Sequence, residues 1–394
     1  MATIEAMDTV GARIAAVRAE RGWSQGDLAA ALVAASGRET LDRTEVSRWE
    51  HGRRQPTPYW LALIAGVLQV PTDALRPAGP AALDPGDALA AGLAWLLEEP
   101  PQLRERRAGR RVGDRLAKQV TDRIAQLRHL DDTLPAHELA PVALREYAAT
   151  EALVNEGSYT AAVGRSLLAS LGEAGQILGW VESDAHRHAA AQAHYLAGFE
   201  AARAGGDTAG AANLLSCLSY QWVNAGNASR GRLLASAAVR GAKGRVTPLV
   251  DVLLHERLAY AHAHAGDRQA SERALGEVDE LFAGHDPNRG NEPEWTYWLS
   301  REEIDVMAAR CATRLGRPAV AAPLIRRALA GYSTEHVREL ALYWSFLAES
   351  HLRGGERPEA ADALATAAHY ASGTDSARVG QRVAELRRAL ATAA

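Results

Sequence analysis

Five polar turns divide the second half of the chain at nearly regular intervals. They stand at His186-Arg187, Gly226-Asn227, Gly266-Asp267, Gly316-Arg317 and Gly355-Glu356, so neighbouring turns are 40, 40, 50 and 39 residues apart. The long interval contains a polar loop insertion over residues 284–291. A period of this length is typical of repeat architectures, in which each unit is a pair of elements stacked on its neighbours. The turns therefore predict an α-solenoid of helical pairs.

Small residues recur at fixed distances from these turns. Seven residues before each turn stand Gly179, Ser219, Ala259, Ala309 and Ala348, and five residues after it stand Ala191, Gly231, Ser271, Ala321 and Ala360. Small side chains allow the two helices of a pair to approach closely. Residues 378–390 are expected to form the capping helix that a solenoid needs at its end.

This pattern resembles the tetratricopeptide repeat (TPR), although a spacing near 40 residues exceeds the usual length of about 34. The last unit matches best, through Trp344, Leu347, Ala348, Ala360, Leu364 and Ala367. The resemblance implies a concave groove formed by the first helix of each pair. It also implies that the residue six before each turn points into that groove. These residues are Trp180, Tyr220, Tyr260, Arg310 and Glu349.

The predicted ligand-binding residues of the groove are mainly aromatic residues and amides. They are Gln176, Trp180, Asn213, Tyr220, Asn224, Glu256, Tyr260 and His264. Aromatic rings stack and amides pair with backbone groups, so such a groove fits a peptide or a semi-polar small molecule. The alternative is that these side chains only fill a narrow solenoid interior.

The first eighty residues contain five short helical segments. Val10 to Arg21 has apolar residues at helical spacing, and Ser24 to Asp27 has the form of a capping box that starts a second helix. A third helix is predicted over Asp42 to Glu50, and Thr57-Pro58 starts a fourth. One more turn is expected over Thr72 to Leu75. The pattern favours a compact helical domain that reads DNA.

This region resembles the XRE family of helix-turn-helix domains, which share the fold of the lambda-type repressors. The resemblance rests on Trp23-Ser24-Gln25, on Leu28-Ala29 and on the run VSRWEHGRRQP from Val46 to Pro56. The order S-R-W-E-x-G-x-x-x-P within that run is its most specific part. The chain departs from the family between Leu32 and Thr44, where it is longer than the usual tight turn.

The resemblance implies that the third helix enters the major groove, where each base pair shows a distinct pattern of donors and acceptors. The residues expected to contact DNA are Gln25, Arg43, Thr44, Glu45, Ser47, Arg48, Arg53 and Arg54. Arginine can pair bidentately with guanine and glutamate can accept from cytosine, whereas Arg53 and Arg54 are placed for phosphates. For each residue the alternative is a solvated surface side chain.

Three segments follow from these patterns. Residues 1–79 are assigned to the DNA-binding domain, residues 80–112 to a basic linker rich in Pro and Gly, and residues 113–394 to the repeat domain. Between Pro101 and Leu130, nine basic residues stand against three acids, which indicates either phosphate contacts or a solvated hinge. Asp114 to Leu130 predicts a helix whose apolar stripe must be covered by the next domain or by a second protomer.

Composition excludes a membrane protein, because no apolar run approaches the ~20 residues that cross a bilayer. Residues 1–10 carry two acids and no base, which is not typical of a signal peptide, and a cytoplasmic location is expected. The formal net charge of -4 means that any DNA footprint is local. Cys217 and Cys311 have no metal-ligating spacing and are expected to be reduced thiols.

Catalytic and cofactor sites are not expected. The pairs His186/His188 and His262/His264 each face different sides of a helix, so no metal ion is expected there. Phosphate-binding, GxSxG and HExxH motifs are absent from the sequence, which argues against an enzyme.

Together these features predict a sequence-specific DNA-binding transcriptional regulator. An XRE domain followed by TPR-like pairs resembles a large class of actinobacterial regulators and the peptide-sensing regulators of other Gram-positive bacteria. The resemblance implies three partners: operator DNA, a second copy of the chain in a homodimer, and a peptide or small-molecule effector. The alternative is a DNA-bound scaffold whose TPR-like domain recruits a protein partner without a small ligand.

Overall fold

The fold was analysed in a computed structural model of the chain. It describes residues 9–36, 41–54, 56, 58–70, 75, 85–96, 109–134, 136–185, 187–334, 336–372 and 376–392. Within these residues the fold is all-α, with eighteen α-helices and a single pair of two-residue strands. The chain forms two compact units, Met1–Ala81 and Ala82–Ala394, and each is described by itself.

The described part of the first unit contains four α-helices. They are α1 (Val10–Glu20), α2 (Gln25–Ser36), α3 (Arg43–Glu50) and α4 (Pro58–Val67). Three features predicted for this region lie wholly or partly outside the described residues: the lengthened loop at 37–40, the cap at Thr57 and the turn from Thr72 to Leu75. Of that turn only Leu75 is described, and its side chain is buried in the core of the unit.

Side-chain caps determine where α2 and α3 begin. Ser24 Oγ accepts a hydrogen bond from the backbone N–H of Asp27 at 3.1 Å, and Asp27 Oδ2 accepts one from the N–H of Ser24 at 2.7 Å. This reciprocal pair confirms the predicted capping box. At α3, Asp42 Oδ1 accepts from the N–H of Glu45 at 3.0 Å. Each cap satisfies a backbone N–H that has no partner within its helix.

The core of the first unit is aliphatic, with one pair of indole rings at its edge. Its fully buried side chains include Ile14, Leu28, Leu32, Val46, Ile64 and Leu68. The rings of Trp49 and Trp60 lie 5.8 Å apart between centroids. Gly11 brings α1 against the end of α3, because a Cβ at that position would lie 2.1 Å from the carbonyl oxygen of Trp49.

The second unit consists of fourteen helices within its described residues. Their bounds are α5 (Pro85–Trp95), α6 (Asp114–Asp131), α7 (Ala136–Glu156), α8 (Ala161–Asp184), α9 (His188–Gly205), α10 (Thr208–Asn224), α11 (Ala228–Ala242), α12 (Pro248–His264), α13 (Arg268–Ala283), α14 (Arg301–Arg314), α15 (Pro318–Gly331), α16 (Val337–Gly354), α17 (Arg357–Ala371) and α18 (Ala377–Thr392). The two short strands, β1 (Arg110–Arg111) and β2 (Gly157–Ser158), pair in parallel. No described helix has both the length and the apolar character needed to cross a bilayer.

Helices α8 to α17 form five antiparallel pairs, and the turns predicted at Gly226, Gly266, Gly316 and Gly355 join the helices of four of them. The first predicted turn, His186-Arg187, lies partly outside the described residues. Gly226 and Gly266 occupy two of these turns with φ of +88° and +78°, a conformation that glycine adopts without strain. The first helices of successive pairs, α8, α10, α12, α14 and α16, stack against one another. The second unit is therefore a helical repeat fold, and α18 closes it where the capping helix was predicted.

The small residues within each pair are points of close contact between its helices. A Cβ at Gly179 would lie 2.4 Å from the ring of Tyr195, so only glycine fits there. Ser219 Oγ donates to the carbonyl of Gly231 at 2.7 Å, and Ser271 Oγ donates to the carbonyl of Ala259 at 2.9 Å. In these two pairs the small residues before and after the turn thus touch directly.

Helix α5 lies in the segment that the sequence assigned to the linker, and it packs against α9 and α11 of its own unit. The Trp95 ring meets the Phe199 ring edge-on at 6.0 Å between centroids. Gly241 of α11 leaves space for the same indole, since a Cβ there would lie 2.0 Å from it. Residues 97–108, which carry part of the basic run, lie outside the described residues.

The apolar stripe predicted on residues 114–130 is covered within the same unit. Helix α6 buries Val120, Ile124 and Leu127 in a cluster that includes Leu167 and Leu171 of α8. Of the two alternatives left open by the sequence, cover by the following helices is the one observed.

Candidate functional site

Helix α3 presents its polar face to solvent. Val46 and Trp49 turn into the core, with exposed fractions of 0% and 2%. Of the residues predicted to contact DNA, Arg43, Thr44, Arg48, Arg53 and Arg54 are exposed, and Gln25, Glu45 and Ser47 are half-buried. The structure thus places these residues at the start of α2, along α3 and just after it.

Glu45 connects the middle of α3 to the segment that follows it. Its carboxylate accepts from Arg48 Nη1 at 3.1 Å and from Arg54 Nη1 at 2.8 Å. The carboxylate is 17% exposed, whereas the two arginine side chains are 54% and 64% exposed. Glu45 therefore orients two guanidinium groups that remain open to solvent.

Gln25 is held in place by a hydrogen bond to the carboxylate of an ion pair between α1 and α3. Arg18 of α1 makes a two-pronged contact with Glu50, with Nε to Oε1 at 2.6 Å and Nη2 to Oε2 at 3.0 Å. Gln25 Nε2 donates to the same Glu50 Oε2 at 2.6 Å. The Arg18 side chain is only 15% exposed. It joins α1 to the end of α3 and so fixes how α2 and α3 meet.

The second unit contains a cavity of about 510 Å³. Its wall comes from α6, α8, α10, α12, α14, α16, the start of α18 and the segment after α13. Two rings of the wall, Trp180 and Tyr220, stack at 6.2 Å between centroids, and Tyr220 meets the ring of Tyr260, which does not border the cavity, at 5.2 Å. The three rings form an aromatic column. These rings stand 40 residues apart in sequence on successive first helices.

Five of the eight predicted groove residues line this cavity, namely Gln176, Trp180, Asn213, Tyr220 and Glu256. The other three, Asn224, Tyr260 and His264, do not border it. They belong to one contact group: Tyr260 donates from its hydroxyl to Asn224 Oδ1 at 2.8 Å, and His264 Nδ1 lies 3.0 Å from the Tyr260 carbonyl oxygen. Burial lowers the pKa of His264 to about 4, so this imidazole is neutral near pH 7.

Arg310 ties the aromatic column together. Its Nη1 donates to the Tyr220 hydroxyl and its Nη2 to the Tyr260 hydroxyl, both at 2.8 Å. The guanidinium also lies 4.5 Å from the ring centroids of Tyr260 and Phe346. Such contacts combine charge-assisted hydrogen bonds with cation–π attraction.

Three guanidinium groups surround Tyr220. Burial by itself raises the pKa of this phenol, but the positive charges of Arg310, Arg378 and Arg257 outweigh burial and lower it. Arg257 lies 4.1 Å over the Tyr220 ring. The tyrosine is therefore more acidic than an ordinary phenol and accepts hydrogen bonds from arginine.

Sequence reasoning did not find the acidic side of the cavity. Glu303 of α14 accepts hydrogen bonds from the hydroxyls of Tyr332, at 2.8 Å, and of Tyr343. Burial raises the pKa of Glu303 and the charge of Glu339 acts in the same direction, whereas the hydrogen bonds from the two phenols oppose this rise. Two tyrosines and one glutamate at unequal spacing give no recognisable motif.

Sequence reasoning also missed the segment after α13. The interpretation of residues 284–291 as a loop insertion said nothing of the residues that follow, yet Trp295, Tyr297 and Trp298 reach the cavity wall. Tyr297 donates to Asp132 Oδ2 at 2.6 Å, which joins this segment to the end of α6. The cluster of three aromatic residues within four positions was the available signal.

Glu256 and Arg257 are neighbours on α12 and both line the cavity. Their exposed fractions are 2% and 8%. Within the described part of the chain, Glu256 Oε1 and Arg257 Nε have no hydrogen-bond partner. Burial raises the pKa of Glu256 to about 8, with Arg257 acting in the opposite direction.

No group of three His, Cys, Asp or Glu side chains among the described residues is arranged to hold a metal ion. Cys217 and Cys311 are free thiols and both are buried. The two are therefore not joined by a disulfide.

Comparison with known proteins identifies the first unit. Residues 14–75 match the family described as Helix-turn-helix. These residues form a helix-turn-helix domain. The match covers α2 to α4 and most of α1, so it includes the caps and the exposed arginines described above.

Over the whole chain, similarity to known proteins is weaker. A solved structure of Bacillus thuringiensis PlcR, in complex with the peptide PapR7 and DNA, aligns at 14% sequence identity with a TM-score of 0.37. The alignment covers 89% of this chain and 99% of that one. No curated protein matches the sequence.

Proposed function

We propose that this protein is a sequence-specific DNA-binding transcriptional regulator whose second unit responds to an effector. The observation that supports DNA reading best is the exposed polar face of α3 within a helix-turn-helix domain. The major groove admits one α-helix, and the start of such a helix reaches the base edges. The N-terminal half of α3 carries Arg43 and Thr44, both open to solvent.

The arginines around α3 divide into two roles in this proposal. Arg43 and Arg48 contact base edges, where a bidentate pair with guanine gives sequence preference. Arg53 and Arg54 contact phosphates and hold the domain on the duplex. Glu45 keeps Arg48 and Arg54 on the same side of the helix, because it accepts from both.

Selection of duplexes from a random pool by the full-length protein tests this assignment. On the selected site, Arg43→Ala and Arg48→Ala are each expected to lose about 1–3 kcal/mol of binding free energy relative to random DNA. Arg21→Ala, which removes an exposed arginine beyond the end of α1, is the matched control and keeps the preference. Full sequence preference in the Arg43→Ala/Arg48→Ala double variant would show that α3 is not the reading helix.

The regulator is further proposed to act as a homodimer on an inverted repeat, since proteins with twofold symmetry read sites with twofold symmetry. Light scattering on the complex with the selected duplex is expected to give two chains of 42.1 kDa for each DNA. One chain bound to one half-site would contradict the dimer.

The effector is proposed to bind in the cavity of the second unit. A volume of about 510 Å³ lies within the range of small-molecule sites, and the wall combines aromatic rings with a few buried polar groups. A bound effector changes DNA affinity only by its differential affinity for the two states of the protein. A useful response corresponds to a coupling of about 1–3 kcal/mol. If a cavity ligand binds and operator affinity does not change, the scaffold alternative replaces the sensor.

A further inference from the structure

The starting observation is that an acidic and a basic side chain of the cavity wall are buried with polar atoms that lack hydrogen-bond partners. Among the described residues, Glu256 Oε1 and Arg257 Nε have no hydrogen-bond partner, and the Arg257 guanidinium contacts only the face of the Tyr220 ring. Burying a charge without compensation is costly. As neighbours on one helix, the two side chains diverge by about 100°, so they do not pair with each other.

The other charged groups around the cavity have found partners. Arg128 contacts Glu173, and Arg338 contacts Asp131. Arg378 contacts Asp184, and Glu303 is held by two phenols. Glu339 also leaves Oε2 without a hydrogen-bond partner, but its Oε1 contacts Arg338 at 3.0 Å. Among the described residues of the wall, the acid and the base of α12 differ in that each has a buried polar atom without a hydrogen-bond partner and neither has an ion-pair partner. This contrast indicates that Glu256 and Arg257 are satisfied by something that the cavity admits.

We infer that the cavity binds a zwitterion, that is, a ligand carrying a protonated amine and a carboxylate close together on an apolar body. The amine pairs with Glu256 and the carboxylate with Arg257. This inference deepens the proposed function, since it takes the cavity to be the effector site. The apolar body lies against Ile177, Leu253 and Met307, which belong to the same wall.

Other ligand classes leave part of the site unsatisfied. A neutral ligand compensates neither charge. A simple amine leaves the Arg257 guanidinium buried without an anion, and a simple carboxylic acid leaves Glu256 without a donor cation. A zwitterion supplies a cation for Glu256 and an anion for Arg257.

Proton release gives the site a second signature. In the empty cavity the pKa of Glu256 is about 8, because burial and the charge of Glu303 outweigh Arg257, Arg310 and Arg301. A bound ammonium group favours the charged carboxylate and lowers this pKa. Binding near pH 7 is therefore expected to release a proton from Glu256.

Isothermal titration calorimetry on the full chain tests the inference with matched probes. The probes are L-phenylalanine, L-tryptophan and leucyl-phenylalanine, each compared with its amine lacking the carboxylate and its acid lacking the amine. Each charged group removed is expected to weaken binding about tenfold or more. Titration in two buffers of different ionisation enthalpy is expected to show proton release with the zwitterions and none with the acids.

Two variants assign the charges. Glu256→Gln is expected to abolish proton release and the preference for the zwitterion over the acid, and Arg257→Gln the preference over the amine. Glu277→Gln and Arg273→Gln, on the exposed face of α13, are the matched controls and keep both preferences. Because each side chain leaves a buried polar atom without a hydrogen-bond partner in the empty cavity, neither cavity variant is expected to lower the melting temperature of the empty protein.

Three outcomes would overturn the inference. One is that no zwitterion of the panel binds, and another is that an amine or acid binds as tightly as its parent. The third is that the zwitterion preference survives in both cavity variants. Operator affinity, measured in parallel, tests the proposed function separately: a zwitterion that binds through Glu256 and Arg257 without changing operator affinity confirms the ligand class and contradicts the sensor.

Discussion

The two units use arginine in opposite ways. Lys118 and Lys243 are the only lysines of the chain, so nearly all positive charge is carried by guanidinium groups. In the helix-turn-helix domain, Arg48 and Arg54 are mostly exposed and share one glutamate. In the helical repeat unit, Arg257 is 8% exposed, and Arg310 lies between tyrosine hydroxyls and aromatic rings.

This difference shows that residue type alone does not tell what a charge does. An exposed guanidinium adds little to folding stability, because water and salt screen its ion pairs. It stays available for a partner outside the chain. A guanidinium placed among buried hydroxyls is part of the architecture, since its removal leaves those groups unsatisfied.

The largest expected effect comes from Arg310→Ala. The substitution removes the donor to the Tyr260 hydroxyl and the shorter of two hydrogen bonds to the Tyr220 hydroxyl, which keeps only Arg378 Nη2 at 3.4 Å. It also removes the contact with Phe346. We expect the free energy of unfolding of the second unit to fall by about 3 kcal/mol, as measured by urea denaturation followed through tryptophan fluorescence. Arg314→Ala, at an exposed position of the same helix, is the control and is expected to change it by less than about 0.5 kcal/mol. Equal losses in the two variants would show that buried and exposed arginines contribute equally to stability.

A smaller effect is expected from pH through Glu256. Its pKa is about 8 in the folded protein and 4.5 ordinarily, so the folded state binds the extra proton between these values. The stability contributed by protonated Glu256 is therefore fully present below pH 4.5 and is lost as the pH rises toward 8. We expect wild type to lose on the order of 2 kcal/mol more than Glu256→Gln between pH 5 and pH 8.5. If the melting temperatures of the two proteins change equally with pH across this range, the pKa of Glu256 is not raised in the folded protein.

The smallest effects are expected on α3. Arg48→Ala and Arg54→Ala each remove one exposed ion pair with Glu45, and we expect stability changes within about 0.5 kcal/mol. For Arg54→Ala the salt dependence of DNA binding is expected to flatten by about one phosphate contact. Differential scanning calorimetry together with binding at several salt concentrations measures both. A loss above 2 kcal/mol in either variant would place these arginines in the architecture as well.

Local features of the fold were predictable from the sequence. The capping box at Ser24, the turns at Gly226 and Gly266, and the aromatic column at 40-residue spacing all depend on residues near one another or on a repeated register. The exposure of the arginines on α3 followed from the same helical periodicity. Such features need no knowledge of how distant segments meet.

The remaining part of the cavity depends on contacts between distant segments. Arg338 meets Asp131 across 207 residues, and Arg378 meets Asp184 across 194. Neither pair belongs to a repeat position, so the register of the solenoid does not reveal it. The lack of partners at Glu256 and Arg257 is also a property of the assembled wall and not of the sequence around α12.

The two cysteines have a consequence for watching this molecule at work. Cys217 lies in the cavity wall on α10 and Cys311 on α14, and burial raises the pKa of both thiols. Alkylating reagents attack the thiolate, so each site reacts only when its helical pair opens. The rates of modification by iodoacetamide thus report how often the helices around each cysteine open. A molecule that fills the cavity slows alkylation of Cys217 more than alkylation of Cys311, so the native thiols report its binding.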